Sequence, residues 1–225
     1  MIEPARHILA NFDEALRALR NSVLMMSGLT ERNLNNAMQG LFERDDERCA
    51  LAIADDEEVD QLEKQIDRDG VDLLLRYQPV ASDLRRVVSA IKLNSNLERI
   101  ADQAVSIGRR GRKLNRHPAL TEVQLITPMH AHALSMLRES VDAYAREDVE
   151  LARTLKGRDK ALDELNASVG RELTEKMAHD PQRLRGYLNL MFIARCLERV
   201  GDHATNIAED AVYAVAAEDI RHQHG

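Results

Sequence analysis

Apolar residues recur every three or four positions along most of the chain, with charged residues between them. The first segment shows this spacing in Ile8, Phe12, Leu16, Leu19, Val23 and Met26. Such spacing lines up apolar side chains on one face of a helix, so it predicts a helix packed against other helices. Charged residues make up 31% of the chain and aromatic residues only 3%, which suits long helices with narrow apolar stripes. We therefore expect an all-α protein.

Prolines and capping residues divide the chain into six long helices. The predicted helices span about residues 5–44, 46–77, 82–113, 127–146, 148–179 and 181–217. Gln78-Pro79 ends the second helix, and Ser82 or Asp83 is expected to cap the third. Thr127-Pro128 and Asp180-Pro181 each have the form of a cap followed by a proline in the first turn.

The chain repeats itself after one hundred residues. Residues 97–107 read LERIADQAVSI, and residues 197–207 read LERVGDHATNI. Duplication of a helical unit is the simplest cause of such a repeat. His117-Pro118 lies between the two copies. We therefore expect two tandem, pseudo-symmetric three-helix bundles, at residues 1–117 and 118–225.

Four pairs of acidic residues, each spaced by four positions, accompany the repeat. They are Asp56 with Asp60, Glu98 with Asp102, Asp159 with Asp163, and Glu198 with Asp202. On a helix this spacing puts both carboxylates on one face, where like charges repel by a few tenths of a kcal/mol per pair. A bound cation would offset that repulsion. If the second and third helices of each half pack antiparallel, each half offers one groove with four carboxylates.

These acidic pairs admit two interpretations. A single pair four residues apart is usually an ordinary solvated helix face. Two matched sets of pairs favour metal sites, because carboxylate oxygens suit hard or intermediate cations such as Mg, Mn, Ca or Fe. His203 directly follows Asp202 and therefore points to another side of its helix, while His222 and His224 belong to a polar tail. We do not expect these histidines to be ligands.

Charge and cysteine usage exclude several classes of protein. The net charge is −7, and basic residues are interleaved with acids, so nucleic acid is not an expected partner. Cys49 and Cys196 stand alone, which argues against a disulfide framework or a thiolate zinc site and favours a reducing compartment. No window reaches the roughly 18 apolar residues of a membrane span. We expect a cytoplasmic protein without membrane insertion.

An apolar row on the third helix predicts a contact surface. Val87, Ile91 and Val105 lie on the same side of that helix as its carboxylates, away from the buried seam. Exposed apolar side chains in a row indicate an interface. The surface that covers them is either a second subunit, which would make a homodimer, or the other half of the same chain.

The chain resembles the PhoU family of phosphate-uptake regulators along nearly its whole length. The resemblance rests on the paired E/D-x-x-x-D motifs, on RYQPVASDLR at residues 76–85, and on an ending similar to Asp219-Ile220-Arg221-His222. It implies six helices in two three-helix bundles. The second half departs from the family pattern, because HDPQRLR at residues 179–185 keeps only the proline and Leu-Arg. Asn166 and Gly170 also stand where the first half has acids, so two metal sites are expected to differ in affinity.

The resemblance also implies a function. The protein is expected to be a negative regulator of phosphate uptake and of the phosphate-starvation response, and not an enzyme. It would link a phosphate ABC transporter, through its ATPase subunit, to a sensor histidine kinase, and so lie at the inner membrane only through these partners. Divalent or transition metal ions, Fe, Mn, Mg or Zn, are expected at the eight carboxylates.

A carboxylate-bridged metalloenzyme built on a helical bundle is the alternative. Against it, the sequence has no Glu-x-x-His pair of the di-iron bundles, no nucleophile beside a base, and no glycine-rich phosphate loop.

Overall fold

The computed structural model describes residues 3–221, with side chains from residue 10 onward, and consists of long helices. They are α1 Glu3–Phe42, α2 Asp46–Ala54, α3 Asp56–Tyr77, α4 Ala81–Asn115, α5 Thr127–Arg146, α6 Val149–His179 and α7 Leu184–Ala216. Short 3-10 helices cover Thr121–Ile126 and Pro181–Arg183. No strand occurs in residues 3–221, so the predicted all-α class is confirmed. None of these helices is both long enough and apolar enough to cross a membrane.

The second predicted helix is wrong in one respect, because it breaks at Asp55 into α2 and α3. The backbone of Asp55 stays right-handed, with φ −68° and ψ −12°, so the break is a bend. Glycines on neighbouring helices let α2 approach closely: a Cβ at Gly40 on α1 or at Gly111 on α4 would lie 2.5 or 2.8 Å from Cys49 Sγ. This close approach fixes α2 against α1 and α4, and α3 then takes its own direction.

The predicted capping or first residues of three helices also differ from the structure, although α5 has the predicted bounds. Val80, not Ser82 or Asp83, occupies the cap position of α4, and it makes no side-chain capping bond. Thr127 is the first residue of α5 and not its cap, and Pro181 opens a 3-10 helix before α7. Helix ends often tighten into such 3-10 turns, and the periodic pattern gives no sign of them.

The two halves meet along α4 and α7, which lie antiparallel. Lys92 Nζ of α4 donates to Asp210 Oδ1 of α7 at 3.0 Å. In the repeat, Lys92 corresponds to Phe192 of α7, and Asp210 corresponds to Arg110 of α4. These two residues are also in contact, because the guanidinium of Arg110 lies 4.1 Å from the ring centroid of Phe192. A pseudo-two-fold axis therefore relates the two sides of this seam, and one continuous apolar core runs through both halves. The predicted boundary at residue 117 lies in the connection after α4.

The apolar row expected on the surface of the third helix, now α4, is covered within the chain. Val87 and Val105 are buried, and Ile91 is half-buried. Ile91 packs against α3, since a Cβ at Gly70 would lie 2.6 Å from Ile91 Cγ1. The prediction that this row is exposed, which was the basis for expecting a homodimer, is therefore wrong. Self-association itself remains a prediction without this support.

The seam yields a prediction about stability. Replacing Lys92 by Met should lower the free energy of unfolding by about 1–3 kcal/mol, because it leaves a buried carboxylate without its cation. Asp210 is only 8% exposed, while Lys92 reaches solvent, so we expect the lower part of this range. Urea unfolding monitored by circular dichroism measures the change.

Two further variants make this test specific. Asp210→Asn added to Lys92→Met should recover much of the loss, because the unpaired charge is then absent. Lys160→Met, at an exposed position on α6, is the control. A Lys92→Met protein as stable as the wild type would contradict any contribution of this pair to the seam.

Candidate functional site

The predicted acids of the first half face one another across a groove between α3 and α4. The two helices lie antiparallel, because an earlier residue of α4 meets a later residue of α3. A Cβ at Gly70 would lie 2.6 Å from Ile91 Cγ1. One turn further along α4, Asn94 Nδ2 donates to the carbonyl oxygen of Glu63 at 3.1 Å and to Asp67 Oδ1 at 2.9 Å. From this contact, residues earlier on α3 meet residues later on α4. That register brings together the four acids predicted for the first site: Asp56, Asp60, Glu98 and Asp102.

Burial and mutual repulsion make this first quartet one electrostatic unit. The pKa of Asp56 is raised to about 6, first by partial burial and next by the charges of Asp60 and Asp102. The pKa of Glu98 is also raised, first by burial and next by Asp102, with a smaller contribution from Asp60. These influences cross from one helix to the other. The acids of α3 and α4 therefore share one groove, as the sequence predicted.

Two residues outside the predicted quartet join the first cluster. The pKa of Glu63 is raised by burial and then by Asp67, so Glu63 extends the acidic groove. Arg99 Nε lies 3.3 Å from Glu98 Oε2, and its Nη1 lies 3.7 Å from Asp102 Oδ2. A cation entering the groove would compete with this exposed guanidinium. Glu63 follows Asp60 by three residues, so helical spacing contains a signal for it, whereas nothing in the sequence indicates where Arg99 points.

The second quartet is assembled in the same way between α6 and α7. A Cβ at Gly201 would lie 3.4 Å from Asp159 Oδ1, so the Asp159 carboxylate lies directly over α7 at the missing side chain. The pKa of Asp159 is raised to about 6, first by burial and then by Asp202, Asp163 and Glu198 in that order. All four acids predicted for the second site therefore act on one another.

The carboxylates of both clusters are chemically suited to bind a cation, although their side chains do not converge on one point. Asp163 and Asp202 are exposed and the other six acids are half-buried, so both clusters can be reached from solvent. Carboxylate oxygens are the ligands that hard cations prefer. Within residues 3–221, however, no three acidic, histidine or cysteine side chains converge on a single ion position. Holding an ion would require the carboxylates to change rotamer.

The two clusters are not equivalent. Arg109 on α4 lowers the pKa of Asp56, whereas its counterpart on α7, Glu209, raises the pKa of Asp159. The first cluster thus has a guanidinium at the position where the second has a further carboxylate. The missing acid at Asn166 was predicted from the sequence, whereas this exchange was not. The hundred-residue repeat contained the signal, because it aligns positions 109 and 209 directly.

Histidine does not enter the second cluster within the described range. His203 Nδ1 lies 3.0 Å from Asn96 Oδ1 across the α4–α7 seam, on a different side of α7 from Asp202. This agrees with the sequence prediction. The tail residues His222 and His224 lie outside the described residues.

The turn with the sequence QPVASDLR closes the α3–α4 hairpin at its end. Gln78 and Ala81 both have positive φ, 47° and 50°, a left-handed conformation that costs a residue with a Cβ about 1 kcal/mol or more. Just beyond the turn, Arg85 Nε donates to the carbonyl oxygen of Ala214 on α7 at 3.4 Å. The turn is thus a strained corner whose Leu-Arg end contacts the other half.

These features define a class: a duplicated helical-bundle protein with an acidic cluster between the last two helices of each half. The chain belongs to the PhoU family, since the PhoU domain matches residues 23–111 and 126–211. The family indicated by the sequence motifs is therefore confirmed.

Relatives and solved structures match nearly the full chain. It is 36% identical over 217 residues to a phosphate-specific transport system accessory protein PhoU homolog of Pseudomonas aeruginosa, covering 96% of this chain and 90% of the relative. With the accessory protein PhoU of Serratia marcescens it shares 34% over 220 residues, covering 98% and 90%.

Two crystal structures have the same fold. PhoU from Pseudomonas aeruginosa superposes with a TM-score of 0.90 at 35% identity, over 92% of this chain and 100% of that one. The phosphate transport system regulatory protein PhoU from Streptococcus pneumoniae gives a TM-score of 0.85 at 26% identity, over 93% and 99%.

The electrostatics of the second cluster lead to a prediction. Because the folded state raises the pKa of Asp159 from 3.8 to about 6, its favourable contribution is present below pH 4 and is lost as the pH rises through 6. In metal-free protein, Asp159→Asn should therefore raise the free energy of unfolding by about 1–2 kcal/mol at pH 7, a figure reduced for solvent screening. At pH 4 the gain should vanish.

Denaturant unfolding with a chelator present, at both pH values, measures this effect. The matched control is Glu164→Gln, an exposed acid on the same helix, which should change stability by less than about 0.5 kcal/mol. An Asp159→Asn protein that is no more stable than the wild type at pH 7 would show that the acids do not strain the fold.

Proposed function

We propose that this protein acts by binding, as a negative regulator of phosphate uptake and of the phosphate-starvation response. The observation that carries this proposal is the match of nearly the whole chain to proteins named as accessory proteins of the phosphate-specific transport system. A match confined to one half would support only a shared fold. The even spread of the resemblance favours a shared role.

In this proposal the partners are the ATPase subunit of a phosphate ABC transporter and a sensor histidine kinase, and the protein is an adaptor between them. Long helices with exposed charged faces are suited to contacts with two partners. A location on the cytoplasmic side of the inner membrane would follow from binding the transporter. A homodimer is part of the same proposal, and sedimentation velocity at tens of micromolar protein tests it.

We further propose that each half binds metal through its own quartet. In the first half Asp56 and Asp60 of α3 would hold the ion together with Glu98 and Asp102 of α4. When bound, the metal would supply positive charge that offsets both the burial of Asp56 and its repulsion by Asp60 and Asp102, which together raise its pKa. Arg99 would then give up its contacts with Glu98 and Asp102. The second half would do the same with Asp159, Asp163, Glu198 and Asp202.

Metal content tests the quartets one at a time. Replacing Glu98 and Asp102 by Ala should remove the metal of the first site and leave that of the second, measured as metal per chain in protein purified without chelators or affinity tags. The control replaces Glu172 and Glu175, an exposed acidic pair on α6, by Ala and should lose none. Unchanged metal in the Glu98/Asp102 variant would contradict the assignment.

Cells lacking the gene test the regulatory role. We expect raised phosphate uptake and active starvation genes in phosphate-rich medium, with both restored by the wild-type gene. Pull-down with the purified protein should recover the ATPase subunit or the kinase. Cells that still shut down uptake and starvation genes normally, together with a pull-down that recovers neither partner, would refute the proposal. Metal-dependent turnover of a phosphate ester would instead favour the metalloenzyme.

A further inference from the structure

A cavity of about 380 Å³ lies where the two halves meet at one end of the molecule. Its walls come from α1 and α4 of the first half and from α5 and α7 of the second. None of the eight acids of the two clusters lines it. The volume falls within the range of small-molecule sites, which is about 300–1,000 Å³.

The cavity is positively charged within an otherwise acidic protein. Three guanidiniums line it, from Arg17, Arg20 and Arg86, against the two carboxylates of Asp13 and Glu147, so one positive charge is in excess. The chain as a whole carries −7. This local reversal of sign favours an anionic ligand.

Two of these guanidiniums, those of Arg17 and Arg20, have N–H donors available for a ligand. Arg86 Nη2 lies 3.2 Å from Glu147 Oε1 and is therefore paired. Arg17 Nε donates to the carbonyl oxygen of Asp13 at 3.1 Å, and Arg20 donates to the carbonyl oxygen of Ala145. Neither forms an ion pair with an acid in the part of the chain that the structure describes. A guanidinium has five N–H donors and binds carboxylate or phosphate through two at once, so both can serve an anion.

The cavity also has an apolar part of its lining, which includes an aromatic ring. Leu16, Ala214 and Val215 supply aliphatic surface, and the phenol of Tyr144 lies beside them. The Tyr144 hydroxyl makes no hydrogen bond to any group in the described range. Burial raises its pKa to about 12, so it remains a neutral donor. A flat apolar group can pack on this ring while an attached anion reaches the arginines.

We propose that this cavity binds a small organic anion in which a phosphate or carboxylate group is attached to a flat, apolar ring. Arg17 and Arg20 bind the anionic group, and Tyr144 and the aliphatic wall receive the ring. Because both halves contribute walls, the bound ligand ties them together. This site does not depend on the regulatory role or on metal binding.

Fluorescence titration of the full chain with 8-anilinonaphthalene-1-sulfonate tests the cavity, since this probe combines an anionic group with aromatic rings. We expect saturable binding of one probe per chain. Arg17→Gln should weaken it about tenfold through loss of a charge-assisted contact. Val215→Trp, at a half-exposed position on the wall, should abolish it by filling the space.

The matched control is Arg68→Gln. Arg68 is exposed, and its Nε also donates to a carbonyl oxygen four residues earlier at 3.1 Å, but it lies on α3 away from the cavity. This variant should bind the probe like the wild type. If Arg17→Gln and Val215→Trp both bind normally, or if Arg68→Gln weakens binding equally, the cavity is not the site. Arg17 is exposed, so its variant remains informative even if Val215→Trp fails to fold.

Competition then tests the chemical class. Phenyl phosphate should displace the probe, whereas phenol, which lacks the anion, and inorganic phosphate, which lacks the ring, should be at least tenfold weaker. Equal competition by phenol would overturn the role of the arginines. Equal competition by inorganic phosphate would overturn the role of the apolar wall.

Discussion

The antiparallel packing of α4 against α7 is the contact on which the rest of the molecule depends. Each of these two helices packs against the other helices of its own half and against its counterpart in the other half. The seam also places the two acidic clusters, because Asn96 is two residues from Glu98, and its partner His203 follows Asp202. Both clusters therefore flank the same level of one helix pair. A displacement of either helix along the seam would move acids in both halves.

The acidic clusters are the places where the fold works against its own stability. Like charges are held together and partly withdrawn from water, and the raised pKa values of Asp56 and Asp159 report the resulting strain. A sequence selected only for stability would not keep both clusters. Local conflicts of this kind in an otherwise consistent fold usually mark functional positions. The structure therefore supports a functional interpretation of these acids even before any ligand is considered.

Much of this architecture could be predicted from periodicity and from the repeat. Helical spacing predicted the all-α class and put Glu98 and Asp102 on one face of their helix, away from the buried seam, because both depend only on local geometry. The bend at Asp55 was not predicted, since the position of α2 depends in part on its close approach to Gly111 of α4, which is far away in sequence. The burial of Val87 and Val105 was missed for a related reason: α4 has neighbours on several sides, and one helix's pattern does not say which neighbours its own chain supplies.

The seam also bears on how such a chain arose. Lys92 contacts Asp210, and the equivalent residues in the repeat, Phe192 and Arg110, also contact each other. Pairs related in this way are typical of the interface of a symmetric homodimer. In a dimer of identical subunits every substitution appears on both sides of the axis at once. Fusion into one polypeptide removes that restriction, and each copy can then change alone. A salt bridge on one side of the axis, with an arginine–aromatic contact at the equivalent place on the other, is the kind of divergence that this freedom permits.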